Sequence, residues 1–153
     1  MHNVLAQTME IVSASIPGSR YRQLGKKSTA TIIVVDDDAS MRRALRRQLQ
    51  VLGFEVSDFQ SAEDFLSGDL PAGDLCLLLD VYMPGMTGIE LCRKLTAAGR
   101  HVPTILISGR DDVQTRKMMR DAHPSASLLK PFDEKSLLRA IRKALPNQLD
   151  LPH

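Results

Sequence analysis

Four places in this 153-residue chain set chemically active side chains directly behind apolar runs. Asp36, Asp37 and Asp38 follow Thr31-Ile32-Ile33-Val34-Val35, and Asp80 follows Leu75-Cys76-Leu77-Leu78-Leu79. Ser108 closes the run that begins at Pro103, and Lys130, with Pro131 behind it, follows Ala126 to Leu129. Carboxylates brought to one edge repel one another: two unit charges about 4–5 Å apart cost about 3–4 kcal/mol at an effective dielectric near 20. A hard divalent cation and a fixed ammonium relieve that repulsion. All-oxygen ligation, with no His or Cys among the residues directly behind these runs, points to Mg2+ rather than Zn2+. Lys130 adds a compact positive charge and Ser108 a hydroxyl donor, a pair suited to an incoming phosphoryl group. Singly, each residue has an ordinary reading: an Asp after a strand caps a helix, as expected of Asp38, a Lys before Pro lies on the surface, and a Ser in a loop makes a turn. Their placement behind successive runs argues for one shared site.

The elements that must position these residues follow from periodicity. The apolar runs without polar alternation read as buried strands. From Ser40 to Leu52, Met41, Ala44, Leu45, Gln48, Leu49 and Leu52 share one helical face, while Arg42, Arg43, Arg46 and Arg47 occupy the other and read as a solvated face. Gly53 ends that helix. Phe54 to Asp58 is a predicted strand, and Ser61 caps a short helix ending near Gly68. Further helices are predicted from about Gly88 to Ala98, from a cap at Asp111 or Asp112 to about Ala122, and from near Asp133 to a stop before Pro146. Five strands alternating with five helices imply βαβ crossovers: an α/β three-layer sandwich with a five-stranded parallel sheet, doubly wound. Ligands of such a sheet bind beyond the carboxyl ends of its strands, where all four strings fall.

Composition narrows the function. The net charge is +2, aromatics are 4% and Trp is absent, which argues against a nucleic-acid interface built on charge or base stacking. The charge is uneven: before Thr31, Arg20, Arg22, Lys26 and Lys27 stand against Glu10, whereas Thr31 to Leu145 is balanced. Cys76 and Cys92 form no CxxC pair, and the four His residues are scattered, so neither a disulfide framework nor a His-based metal site is expected. No apolar run reaches the ~20 residues that cross a bilayer, and the first thirty residues lack the pattern of a secretory signal. A cytoplasmic protein without membrane contact is expected. The chain divides into residues 1–30, a flexible lead or weak helix carrying Val4, Leu5, Met9, Val12 and Ile16; 31–145, the folded domain; and 146–153, a tail.

Three strings together, Ile33-Val34-Val35-Asp36-Asp37-Asp38, Leu78-Leu79-Asp80-Val81-Tyr82-Met83-Pro84-Gly85-Met86-Thr87-Gly88 and Lys130-Pro131-Phe132, make residues 31–145 resemble the receiver domain of bacterial response regulators. The pattern is most similar to the FixJ/LuxR-type regulators, which usually carry a C-terminal helix-turn-helix. The resemblance implies a flavodoxin-like, CheY-like fold and a two-component phosphorelay. It implies that Asp80 accepts a phosphoryl group from the phosphohistidine of a sensor histidine kinase or a histidine phosphotransfer protein. Asp37, Asp80 and the backbone carbonyl of Tyr82 would hold Mg2+ directly and Asp36 through a water. Ser108 and Lys130 would bind the phosphoryl group, and the Lys130–Pro131 bond would be cis. The chain would then catalyse only its own phosphorylation and dephosphorylation, and would switch a downstream protein target or a phosphorylation-dependent homodimer.

Two departures from the family pattern stand out. Ser127 occupies the place, three residues before the lysine, where receivers commonly carry an aromatic, and Ala122-His123-Pro124-Ser125-Ala126 replaces a small Ala-Gly-Ala turn. Competing readings are weaker. A haloacid-dehalogenase-like phosphatase needs a second Asp where Tyr82 stands, and a nucleotide-binding sandwich needs a glycine-rich loop where three aspartates stand. Direct DNA binding would need a recognition helix, which the eight residues after Leu145 are too few to supply. A degenerate receiver that only docks, and a receiver fragment of a DNA-binding transcription regulator, remain as alternatives.

Overall fold

The structure, a computed structural model, describes residues 30–147. Strands β1 (Thr31–Val35), β2 (Glu55–Phe59), β3 (Leu75–Asp80), β4 (Thr104–Ser108) and β5 (Ala126–Leu129) alternate with helices α1 (Ala39–Val51), α2 (Ala62–Ser67), α3 (Gly88–Ala97), α4 (Val113–Asp121) and α5 (Glu134–Ala144). The strands form one parallel sheet in the order β2-β1-β3-β4-β5. The chain therefore winds outward from β1 in both directions, and the switch point lies between β1 and β3. The expected doubly wound three-layer sandwich is the one observed.

Alternate strand residues feed two cores. Ile32, Val34, Cys76, Leu78, Ile105 and Ile107 pack with Leu45 and Leu49 of α1 and Leu137 and Ile141 of α5. Ile33, Val35, Leu77, Leu79 and Leu106 pack with Phe65 of α2, Leu91 and Leu95 of α3 and Met119 of α4. Both faces of the central strands are thus apolar, which is why their sequences read as unbroken hydrophobic runs. Ala30, fully buried, already belongs to the first core. The predicted lead before it and the end of the predicted tail lie outside the described residues.

Most boundaries fall within a residue of their prediction, and the differences have local causes. Gly53 turns the chain at a φ of +95°, and the Phe54 amide donates back to the Leu49 carbonyl at 3.0 Å, so Phe54 enters the core and β2 starts at Glu55. The buried stripe of α1 is narrower than predicted: Leu45 and Leu49 are buried, Met41 and Leu52 flank them, and Ala44 is exposed. The arginine face is not wholly solvated either. Arg46 Nη1 lies 2.8 Å from Asp58 Oδ1 on β2 and Arg42 Nε 3.5 Å from Asp58 Oδ2. Asp112, not Asp111, caps α4. His123 takes a φ of +51° in the atypical turn before β5, a conformation that His adopts more readily than most non-glycine residues.

The loop from β3 to α3 is held from two sides. Glu63 of α2 accepts the Met86 amide at 3.3 Å, and its Oε2 lies 2.7 Å from where a Cβ on Gly85 would sit. Gly88 donates to the Val81 carbonyl at 2.9 Å, and a Cβ there would meet the Asp80 carbonyl oxygen at 2.3 Å. An Ala for Gly exchange in an open helix gains up to about 1 kcal/mol. At Gly88 the obstacle is backbone, so we expect Gly88→Ala to lower stability by about 1–3 kcal/mol in urea unfolding. Unchanged or increased stability would show that the end of β3 is free to move.

Candidate functional site

The switch point brings the strand-end aspartates together. Val35 pairs with Leu79 in the β1/β3 register, so Asp36 and Asp80 are the next residues along adjacent strands. Ligand oxygens of Asp36, Asp37 and Asp80 all lie within 4.8 Å of one another. Asp36 and Asp80 are 2% and 6% exposed, whereas Asp37 faces solvent. In the β4/β5 register Ser108 pairs with Leu129, which sets Lys130 beside the same edge, and the Lys130 amide donates to the Ser108 carbonyl at 2.8 Å. The Lys130–Pro131 bond is cis.

Hydrogen bonds divide the aspartates by role. Asp38 accepts the Ser40 and Met41 amides at 2.9 and 3.2 Å and is the cap of α1, as its position predicted. Asp36 is engaged on both oxygens: Oδ1 accepts the Asp38 amide at 2.9 Å and Oδ2 lies 3.1 Å from Lys130 Nζ. The Asp80 carboxylate lies 3.6 Å from the same ammonium. Arg42 completes the frame by donating from Nη1 to the Asp36 carbonyl at 2.7 Å. Sequence reasoning missed Arg42 as a site residue, because a basic residue on a helix face carries no signal for a backbone carbonyl six residues earlier.

Three acids against one ammonium leave excess negative charge, which adds to the effect of burial on these groups. Burial, then the charge of Asp36, push Asp80 up to about 6, against the opposing pull of Lys130. Burial works against the charged form of Lys130, but its hydrogen bond to Asp36 and the charges of Asp80 and Asp36 together hold its pKa above the ordinary value. An all-oxygen cluster with an unneutralised charge and one exposed member fits a hard divalent cation, with Asp37 and Asp80 as the ligands least engaged elsewhere.

Ser108 is fully buried, and its hydroxyl is used entirely within its own loop: Oγ accepts the Arg110 amide at 2.9 Å and donates to the Arg110 carbonyl at 3.0 Å. Tyr82, half-buried, turns its ring toward α4, where its hydroxyl bonds Thr115 Oγ1, and the Arg110 guanidinium lies 4.2 Å above the ring centroid. Ser127 is exposed on β5. Cys76 and Cys92 are free and lie in the two different cores, on opposite faces of the sheet, with thiols pushed by burial to about 12 and about 11. A cavity of about 290 Å³, lined by Pro103, Thr104, His123 and Ser125 among others, lies at the opposite ends of β4 and β5, away from the acids. No described helix is long and apolar enough to cross a membrane.

A parallel sheet wound outward from β1, with acids and a lysine at its switch point, defines the flavodoxin-like, CheY-like class. The chain belongs to the response regulator receiver domain family, whose model matches residues 32–142. It is 40% identical over 131 residues to the response regulator protein TmoT of Ectopseudomonas mendocina, covering 84% of this chain and 59% of that one. It is 35% identical over 112 residues to the transcriptional regulatory protein FixJ of Azorhizobium caulinodans, covering 73% of this chain and 53% of that one. The structure of the response regulator StyR superposes with a TM-score of 0.70 at 42% identity, over 78% of this chain and 61% of that one. The chain thus spans little more than half the length of these relatives, and the FixJ-like pattern noted in its sequence is matched among them.

The titration of Asp80 has a consequence for folding in the absence of metal. Its folded value of about 6 lies above the ordinary 3.8, so the folded state holds the extra proton between these values. Asp80's contribution to stability therefore falls as pH rises through that window and stays low above it. We expect Asp80→Asn to be more stable than wild type by about 1–2 kcal/mol at pH 7.5 without metal, and the difference to vanish near pH 4. Denaturant melts at the two pH values check this. A variant less stable at pH 7.5 would show that the ionised carboxylate is fully satisfied.

Proposed function

We propose that this chain is a phospho-accepting receiver of a two-component phosphorelay, with Asp80 as the acceptor. The observation that supports it most is the placement of one buried carboxylate, Asp80, within reach of a fixed ammonium, Lys130, and two further acids. A carboxylate oxygen of Asp80 attacks the phosphorus of a phosphohistidine on a sensor kinase or histidine phosphotransfer protein. The new O–P bond gives an acyl phosphate, and the P–N bond breaks with its electron pair going to the imidazole, which takes up a proton from water. Mg2+ held by Asp37, Asp80 and the Tyr82 carbonyl, with Asp36 acting through a water, would supply charge neutralisation at the transferring group.

The remaining work falls to residues that are already in place. Lys130 balances the charge that arrives on the phosphoryl oxygens, aided by its hold on Asp36. Ser108 offers its hydroxyl to a phosphoryl oxygen once it gives up the Arg110 carbonyl. Arg42 and the Asp38 amide keep Asp36 oriented. No residue is needed as a general base, since the nucleophile is ionised above about pH 6. The chain acts on its own aspartate and on no separate substrate, in a cytoplasmic setting, and its output is a change in the affinity of a protein partner. The intact acid cluster and lysine favour this reading over a docking module independent of phosphorylation.

Incubation with Mg2+ and a small-molecule phosphodonor should place a single hydroxylamine-labile phosphoryl group on the wild type. Asp80→Asn should abolish it. Lys130→Met should reduce the labelling rate by about 10²-fold or more while Mg2+ still binds. Undiminished labelling of Asp80→Asn, read by intact mass, would overturn the assignment.

A further inference from the structure

Tyr82 and Thr115 make a connection that acceptance of a phosphoryl group does not use. Thr115, in the first turn of α4, is 0% exposed, unlike most residues of that helix. Its Oγ1 lies 2.9 Å from Asp112 Oδ2, and its amide donates to Asp112 Oδ1 at 2.8 Å. Those bonds hold the Asp112 carboxyl below the usual carboxylate range, so it is ionised and only accepts. The single proton of the Thr115 hydroxyl is therefore committed to Asp112. It follows that in the Tyr82–Thr115 bond the tyrosine donates, and the chain of donors runs from Tyr82 through Thr115 to Asp112.

The same tyrosine meets the site from its other side. Its ring lies under the Arg110 guanidinium, and the Arg110 backbone holds both hydrogen bonds of the Ser108 hydroxyl. Ser108 has one proton. To donate it to a phosphoryl oxygen on Asp80, Ser108 must release the Arg110 carbonyl, and the residue whose backbone is released is the one whose guanidinium rests on the Tyr82 ring. On β5, by contrast, Ser127 is exposed and has no ring to move.

We propose that Tyr82 and Thr115 are positioning residues that carry the state of the Ser108 hydroxyl to the first turn of α4, in place of an aromatic on β5. The link rests on the reading of Asp80 as acceptor. It reports at a defined spot on the surface: Val113, the first residue of α4, is apolar and 76% exposed. The coupling is reciprocal, so a change in the α4 turn also alters how firmly Arg110 holds Ser108.

Tyr82→Phe keeps the ring under Arg110 and removes only the hydroxyl, and Thr115→Val keeps the side-chain shape. Amide hydrogen exchange is followed in both variants and in wild type, without ligand and with Mg2+ plus beryllium fluoride as the phosphoryl mimic. Without ligand, either variant should speed exchange across Val113 to Met118 by about five-fold and leave Ala126 to Leu129 unchanged. With the mimic, wild type should change at Gly109 and Arg110 and across Val113 to Met118. The variants should retain the first change and lose the second, and Thr115→Ser should restore it. If wild type responds at Gly109 and Arg110 while the α4 response is the same in wild type and both variants, or appears on β5 instead, the link is overturned and the acceptor reading stands. If wild type shows no response at Gly109 and Arg110, the acceptor reading fails and the proposal fails with it.

Discussion

The ammonium of Lys130, held between Asp36 and Asp80, is the interaction on which the site depends, because it lets two largely buried carboxylates exist a few ångströms apart. The surrounding structure serves to keep it there. β5 must stand next to β4 in register for Lys130 to reach the edge, and its amide is tied to the Ser108 carbonyl. β1 must adjoin β3 so that the acids meet, which requires the order β2-β1-β3-β4-β5. A buried ion cluster of this kind contributes little net stability, since desolvation offsets much of the Coulomb attraction. The two aliphatic cores carry the fold, and the sheet end can then hold charges at odds with folding.

The compensation is incomplete, and that has functional weight. Burial and the neighbouring acids raise Asp80 to about 6, so it is ionised at neutral pH only at a cost that one ammonium does not fully offset. A site left short of positive charge favours a divalent cation. The residues nearby divide between holding this arrangement still and leaving something free to change. Arg42, the Asp38 amide and Gly88 do the first; the Ser108 hydroxyl, bonded only within its own loop, does the second.

Much of this was legible in the sequence for a physical reason. Buried parallel strands need unbroken apolar runs, so the residue after each run marks a strand end, and Asp36, Asp80, Ser108 and Lys130 could be placed at one edge before their distances were known. Helix caps were legible where a short polar residue precedes an amphipathic stretch, as at Asp38 and Ser61. Contacts that depend on how elements approach in space were not. Arg42 reaches the Asp36 carbonyl and Asp58 only because α1 lies across β1 and β2, so a face of four arginines read as solvated. The Tyr82–Thr115 bond joins a loop to a helix far along the chain, and the tight space around Gly88 arises only once α3 docks on the end of β3.

The clasp of Glu63 on the loop after β3 carries a consequence for how this sequence can vary. Gly85 has a positive φ, and any side chain there would run into the Glu63 carboxylate, whose other oxygen holds the Met86 amide. Positions 63 and 85 therefore meet in space, although one lies on α2 and the other in a loop beyond the next strand. The Glu63 carboxylate is the exposed end of a flexible side chain and can swing aside at the loss of its bond to the Met86 amide, whereas the φ of +75° strains any side chain at 85 whatever stands at 63. Glycine at 85 should then be kept even where 63 has changed, because the backbone conformation and not the carboxylate sets the limit.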